Sequence, residues 1–205
     1  FTGSGVALVT PFDENNEVNY SRLREILEFH VLNHTDAIIV TGTTGEGSTI
    51  TDEEKISVIE FAVEIINSRI PVIAGTGSND TKHAAEFSKR AERAGVNGLL
   101  VVTPYYNKGN ENGIYEHYKT IAEAVKIPVI LYNVPSRTGV NLSIPLLKKL
   151  AQIKNITALK EASGNISYVA EVAREIQELD IYSGNDDMVV PVLSLGGKGV
   201  ISVSA

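Results

Sequence analysis

The segment Ile39–Thr49, IVTGTTGEGST, gathers glycine and hydroxyl groups, and Gly42 to Gly47 spells G-x-x-x-x-G, the opening of a phosphate-binding loop. Such a loop continues with lysine and then Ser or Thr, because the lysine reaches the phosphates and the hydroxyl holds magnesium. Here Ser48 and Thr49 follow directly and the lysine is missing. A nucleotide binder therefore fails for want of its cation, and the identity of the anion stays open. Lys160 is the second unusual residue, since it ends the apolar run ITALK from Ile156. A lysine partly desolvated at such a position loses basicity and attacks carbonyls to form a Schiff base. The competing reading pairs it with Glu161. Tyr132 ends the run PVILY and is placed to exchange protons near that amine, or it simply packs with its hydroxyl in solvent. Tyr105 and Tyr106 in TPYYNKG carry the same two readings. Arg137 in PSRTG either forks onto a carboxylate or stands exposed.

Eight short runs rich in β-branched residues must position these groups. They start at Val6 (VALVT), Ala37 (AIIV), Pro71 (PVIAG), Gly98 (GLLVV), Pro128 (PVILY), Ile156 (ITALK), Asp180 (DIYSG) and Gly199 (GVISV). Runs apolar on both faces are the mark of a parallel sheet. Between them lie helical patterns. SRLREILEFHVL is one-sided, with Leu23, Ile26, Leu27 and Val31 on a single stripe. TDEEKISVIEFAVEII opens with Thr51 and Glu54, a capping box. DTKHAAEFSKRAERAG ends at Gly95, a natural C-cap. ENGIYEHYKTIAEAV, IPLLKKLAQ and NISYVAEVAREIQEL supply three more. A doubly wound open sheet usually has about six strands and a glycine fingerprint after the first, which VALVTPF lacks. Eight β-α units instead predict one (β/α)8 barrel domain over residues 1–205. About 250 residues is typical of that fold, so the chain is expected to stop after the eighth strand, with the last helix and a C-terminal helical region missing. In such a barrel, chemistry sits where the strands end, at the C-terminal rim. Lys160, Tyr132, Arg137, the tyrosines and the Gly/Thr loop all fall there.

Composition narrows the function further. With 43% hydrophobic and 21% charged residues, the chain reads as globular, and a net charge of -7 argues against nucleic acid or an anionic membrane as partner. No apolar run approaches the roughly 18 residues of a membrane span, and no signal peptide opens the chain. Cysteine is absent, which excludes thiolate metal sites and makes a reducing cytoplasm the default location. His30, His34, His83 and His117 fall in helices or at helix ends rather than as a pair on strand ends, so no metal site is expected. Asp186 and Asp187 read as a helix N-terminus.

TGTTGEGST, AGTGSN, VTPYYNK, YNVPSRTG, LKEASGN and GVISV together resemble the dihydrodipicolinate synthase family of pyruvate-dependent class I aldolases, with the likeness running in order from Gly3 to Val203. YNVPSRTG and TPYYN separate it from the sialic acid lyases. The resemblance implies a lyase of lysine and diaminopimelate biosynthesis that needs no cofactor. It implies that Lys160 is the Schiff-base lysine, condensing with pyruvate. Tyr132 matches the proton-shuttling tyrosine, and Thr43 matches the threonine that links it to a second tyrosine, Tyr106, which crosses from a neighbouring subunit. Thr43 with Thr44 matches the pair that binds pyruvate's carboxylate, held by hydroxyls and backbone N–H groups that Gly42 and Gly45 leave approachable. Arg137 matches the residue that receives the carboxylate of the second substrate, L-aspartate 4-semialdehyde, while Gly184 and Ile201 line the same site. A homo-oligomer, dimer or tetramer, follows from the crossing tyrosine.

Family members sensitive to feedback bind lysine near the positions of Ser48, Asp52, Lys55, Asn79, His83 and Tyr105. The His83 position is an acid in those members and the Lys55 position commonly histidine, so weak or absent lysine inhibition is expected here. Two alternatives stand beside the synthase: another pyruvate-dependent aldolase acting on a sugar acid, and a barrel without catalytic activity.

Overall fold

In the computed structural model, which describes all of residues 1–205, eight parallel strands close into a barrel in chain order. The strands are β1 (Gly3–Ala7), β2 (Ala37–Val40), β3 (Val72–Gly75), β4 (Gly98–Val102), β5 (Val129–Asn133), β6 (Ile156–Glu161), β7 (Asp180–Ser183) and β8 (Gly199–Ser202). The outer helices are α1 (Tyr20–Leu32), α2 (Asp52–Ile66), α3 (Thr81–Arg93), α4 (Glu111–Glu123), α5 (Pro135–Thr138), α6 (Ile144–Leu150), α7 (Ile166–Glu175) and α8 (Val189–Ser194). No helix is long and apolar enough to cross a membrane.

Local chemistry explains several boundaries. The Thr51 hydroxyl accepts from the Glu54 backbone while the Glu54 carboxylate accepts from the Thr51 N–H, which completes the expected capping box. Gly95 follows α3 at φ 92°, a left-handed position that suits glycine. Two features depart from the sequence reading. The first strand runs from Gly3 to Ala7 rather than from Val6 to Thr10, because Gly3 to Val6 pair with Gly199 to Ser202 and close the barrel. A Cβ on Gly199 would stand 1.9 Å from the Gly3 carbonyl oxygen, so glycine, a poor strand former elsewhere, is what lets this seam close. The short helix α5 was not anticipated, since four residues are too few to show a helical period, whereas the 3-10 turn Asp186–Met188 that runs into α8 begins where Asp186 and Asp187 read as a helix N-terminus.

Packing divides into two layers. A core of 40 buried residues fills the space between strands and helices, and a separate cluster of 11 fills the barrel interior. Along each strand the side chains alternate between these layers. β6 departs from strict alternation once. Val129 pairs with Ile156 but Ile130 pairs with Ala158, which leaves Thr157 as an extra residue. Ile156 therefore belongs to the outer core and Ala158 to the interior, and the parity that follows turns Leu159 outward and Lys160 inward.

The helical layer holds one uncomfortable group. His117 of α4 is buried, its Nδ1 lies 2.8 Å from the Thr81 hydroxyl, and its Nε2 has no partner. Burial drives its pKa down to about 4, against a weaker opposing pull from Asp80. The native state thus disfavours the proton that the unfolded chain takes up near pH 6.5. Stability is complete above that pH and falls as pH drops toward about 4, by roughly 3 kcal/mol for this group. Urea titrations of the parent and of His117→Gln across pH 4–7 are expected to show a shallower acid loss in the variant.

Candidate active site

The C-terminal rim encloses a cavity of about 930 Å³, and Thr43, Thr44, Tyr132, Arg137, Lys160 and Gly184 all line it. Lys160 is only 5% exposed. Tyr132 is its direct neighbour across the β5–β6 ladder, and the Lys160 ammonium nitrogen stands 4.4 Å from the Tyr132 ring centroid. None of the nine ion pairs in the chain involves Lys160 or Arg137.

The pairing of Lys160 with Glu161 does not occur. Alternation sends Glu161 to the opposite side of β6, where Asn133 Nδ2 and the Ser163 N–H donate to its carboxylate at 2.7 and 2.5 Å. Burial raises the pKa of Glu161, partly offset by those donors. For Lys160, burial is again the leading cause, and the Arg137 charge adds to it. Together they outweigh the attraction of Asp186 and lower the amine pKa to about 8. About a tenth of the amine is therefore neutral and nucleophilic at pH 7, far more than for an exposed lysine. Tyr132 moves the other way: burial raises its phenol pKa while Arg137 pulls it down, so it stays protonated as a donor.

The β2 loop supplies the anion-facing wall. No backbone acceptor takes the N–H groups of Thr43 or Thr44, both of which line the cavity, so these donors remain free at the rim. The loop is fixed from beneath by the Thr10 hydroxyl, which donates to the Gly45 carbonyl at 2.7 Å, and by the Gly47 N–H, which donates to the Gly42 carbonyl at 3.1 Å. Close approach constrains Gly45 and Gly47, whereas a Cβ on Gly42 would meet only Ile39, at 3.9 Å.

Two expected site residues stand apart from this group. Ile201 is fully buried in the barrel-interior cluster and does not line the cavity. Tyr106 points away into solvent, 88% exposed, with its backbone at φ 74°. The residues expected near a feedback ligand fall into two sets. Ser48, Asp52, Lys55, His83 and Tyr105 line a second arm of the same cavity, while Asn79 braces it by donating to the Tyr105 carbonyl at 3.3 Å. In that arm Asp52 is gripped by Lys55 and by His83, each at 2.6 Å, and the Lys55 ammonium lies 4.5 Å from the centre of the Phe87 ring. Sequence reasoning passed over Asn185, which lines the cavity beside Gly184. Its place directly after a strand-end glycine was the available signal.

Comparison with known proteins agrees with the fold. The profile described as the dihydrodipicolinate synthetase family matches residues 1–205. A Clostridium perfringens protein named 4-hydroxy-tetrahydrodipicolinate synthase is 57% identical, over 100% of this chain and 70% of its own length. The crystal structure of dihydrodipicolinate synthase from Aquifex aeolicus superposes with a TM-score of 0.97 at 50% identity, covering 100% of this chain and 70% of that one. A chloride-inhibited dihydrodipicolinate synthase from Acinetobacter baumannii, solved in complex with pyruvate, does so with the same TM-score and coverage at 44% identity.

Gly184 gives the most direct test of this geometry. A Cβ there would stand 3.1 Å from Lys160 Cε and 2.7 Å from Ala162 Cβ. Gly184→Ala is expected to displace the amine and slow its capture of a small 2-oxo acid about 100-fold, read by borohydride trapping, while the protein stays folded.

Proposed function

The chain belongs to the dihydrodipicolinate synthetase family, and from that premise we propose that it condenses pyruvate with L-aspartate 4-semialdehyde through a Schiff base on Lys160. One observation carries the reading: a buried amine without an acidic partner, its basicity lowered, facing a cavity whose opposite wall offers free N–H donors. The neutral Lys160 amine adds to the pyruvate ketone, and loss of water leaves an iminium. Thr43 and Thr44 hold the pyruvate carboxylate with their hydroxyls and N–H groups. The iminium draws electrons from the adjoining methyl group, which loses a proton and becomes a nucleophilic enamine carbon. That carbon attacks the aldehyde of the second substrate, whose own amine then displaces the lysine and closes the ring. Arg137, free of any acidic partner, receives the carboxylate of the aldehyde. Tyr132 moves protons to and from these intermediates. The reaction uses no redox step, so its electrons balance without a further reagent.

Tyr106 completes the relay from a neighbouring copy of the chain. A bulky side chain held at positive φ is strained, and one that is also 88% exposed gains nothing from its own chain in return. An assembly of at least two copies gives that conformation a use, with Thr43 as the hydroxyl between Tyr106 and Tyr132. The second arm of the cavity does not suit feedback by lysine, because Lys55 and His83 already occupy the Asp52 carboxylate and Lys55 repels a further ammonium.

Two measurements test these assignments. Borohydride added with pyruvate is expected to fix a pyruvate-derived mass on the peptide containing Lys160, with trapping faster as pH rises through about 8. Tyr132→Phe is expected to lower turnover about 100-fold or more. No adduct on Lys160 would sink the aldolase reading. L-lysine at millimolar concentration is expected to leave the rate unchanged, and inhibition at sub-millimolar lysine would overturn the reading of the second arm.

A further inference from the structure

Glu161 is a buried acid that the mechanism above leaves idle. It is 4% exposed, and its partner Asn133 is fully buried. The two face each other on β6 and β5, one residue beyond the facing pair Lys160 and Tyr132. Every side-chain polar atom of this second pair is engaged. Asn133 Nδ2 donates to the Glu161 carboxylate at 2.7 Å and to the Asn141 side-chain oxygen at 2.8 Å, while Asn133 Oδ1 accepts from the Leu142 N–H at 3.1 Å. The second carboxylate oxygen of Glu161 accepts from the Ser163 N–H at 2.5 Å. A carboxylate that only accepts dictates which end of the Asn133 amide faces it, and so leaves the amide oxygen turned toward Leu142.

What this amide closes is the loop that carries Arg137. The chain leaves β5 at Asn133, turns through α5 and returns at Asn141 and Leu142, where Asn133 holds it. From α7, the Tyr168 hydroxyl donates to the Leu142 carbonyl at 2.5 Å and pins the same point. Val134, Ser136, Arg137 and Thr138 of this loop line the cavity. Arg137 is exposed and belongs to no ion pair, so its guanidinium is placed by the backbone that carries it rather than by a partner of its own. We infer that Glu161 is a positioning residue: through Asn133 it closes the Arg137 loop onto β6, so that the strand presenting the amine also sets the place of the guanidinium that receives the aldehyde. The inference rests on the aldehyde substrate and the Arg137 role proposed above. It also gives a reason for a carboxylate behind the barrel wall, where withdrawal from water is costly unless N–H donors compensate it.

Steady-state kinetics with both substrates separates positioning from stability. Glu161→Gln keeps the shape of the side chain but turns one acceptor into a donor, which then opposes either Asn133 Nδ2 or the Ser163 N–H. It is expected to raise the KM for L-aspartate 4-semialdehyde about tenfold, while the KM for pyruvate and the rate of borohydride trapping on Lys160 change less than about threefold. KM does not depend on how much of the protein is folded, so a loss of stability alone lowers turnover and leaves both KM values in place. Combining Glu161→Gln with Asn133→Asp reverses the polarity of the pair, since the introduced amide donates to the introduced carboxylate, whose other oxygen still accepts from the Leu142 N–H. This double variant is expected to return the aldehyde KM to within about threefold of the parent. Asn141→Ala cuts the exposed tie of the loop without touching the buried pair, and it is expected to raise the same KM about threefold. An aldehyde KM changed less than about twofold in Glu161→Gln, an equal rise in both KM values, or a double variant as impaired as Glu161→Gln overturns the inference. If Glu161→Gln does not fold, an unchanged aldehyde KM in Asn141→Ala overturns it instead. Absence of pyruvate trapping on the parent removes the aldolase reading itself, whereas intact trapping with an unchanged aldehyde KM removes this inference alone.

Discussion

The site depends on an amine that is kept out of water without a carboxylate in ion-pairing contact. Pairing with an acid would raise the basicity of Lys160 and leave it protonated, whereas burial, helped by the Arg137 charge, lowers it. The outcome is decided by the parity of one strand. Residues 160 and 161 are an amine and a carboxylate joined by a single peptide bond, and a strand sends them to opposite faces. Burial is costly on both faces and is handled differently on each. Glu161 receives two N–H donors behind the barrel wall, while Lys160 receives only the face of an aromatic ring and the charge of Asp186 from a neighbouring turn.

The extra residue in β6 is part of the same constraint. Without Thr157 standing out of the β5–β6 pairing, every later side chain of β6 would change sides, and Lys160 would point among the helices. Closure of the barrel matters for a similar reason. Because β5 and β6 are adjacent, consecutive β-α units place phenol, guanidinium and amine on one arc of the rim. The β2 loop faces them with its free N–H groups, so an anion is met from the side opposite the cations. A rigid scaffold with these groups on its rim spends little energy on reorganisation when a small keto acid enters.

Much of this was legible in the residues. Two-sided apolar runs of four or five residues announced parallel strands, and the capping pair Thr51 and Glu54 fixed the start of α2 to the residue. Lys160, Tyr132 and Arg137 could be singled out because each stands at or just beyond the end of such a run. Where the signal was short or glycine-rich, reading failed. Residue type starts the first strand only at Val6, because what makes Gly3 to Gly5 part of it is the backbone of β8 lying against them. Helix α5, with four residues, is held by Pro135 at its start and Gly139 at its end rather than by any periodic pattern. Asn185 was overlooked because an asparagine after a glycine is ordinary turn chemistry, and its orphaned oxygen is a property of its surroundings alone.

Sequence by itself determined the element order, the eightfold repetition, and the identity of the groups able to do chemistry at strand ends. These are local matters, set by side-chain size, backbone preference and period. Tertiary structure alone decided which of those groups meet. It chose the inward face for Lys160 through a slip in pairing, left its amine without an ion-pairing acid, turned Tyr106 out to solvent, and in the β2 loop kept the close approach at Gly45, added Gly47 and left Gly42 with room. The physical reason is that desolvation and contact are sums over neighbours distant in the chain, and no residue carries that sum in its own type.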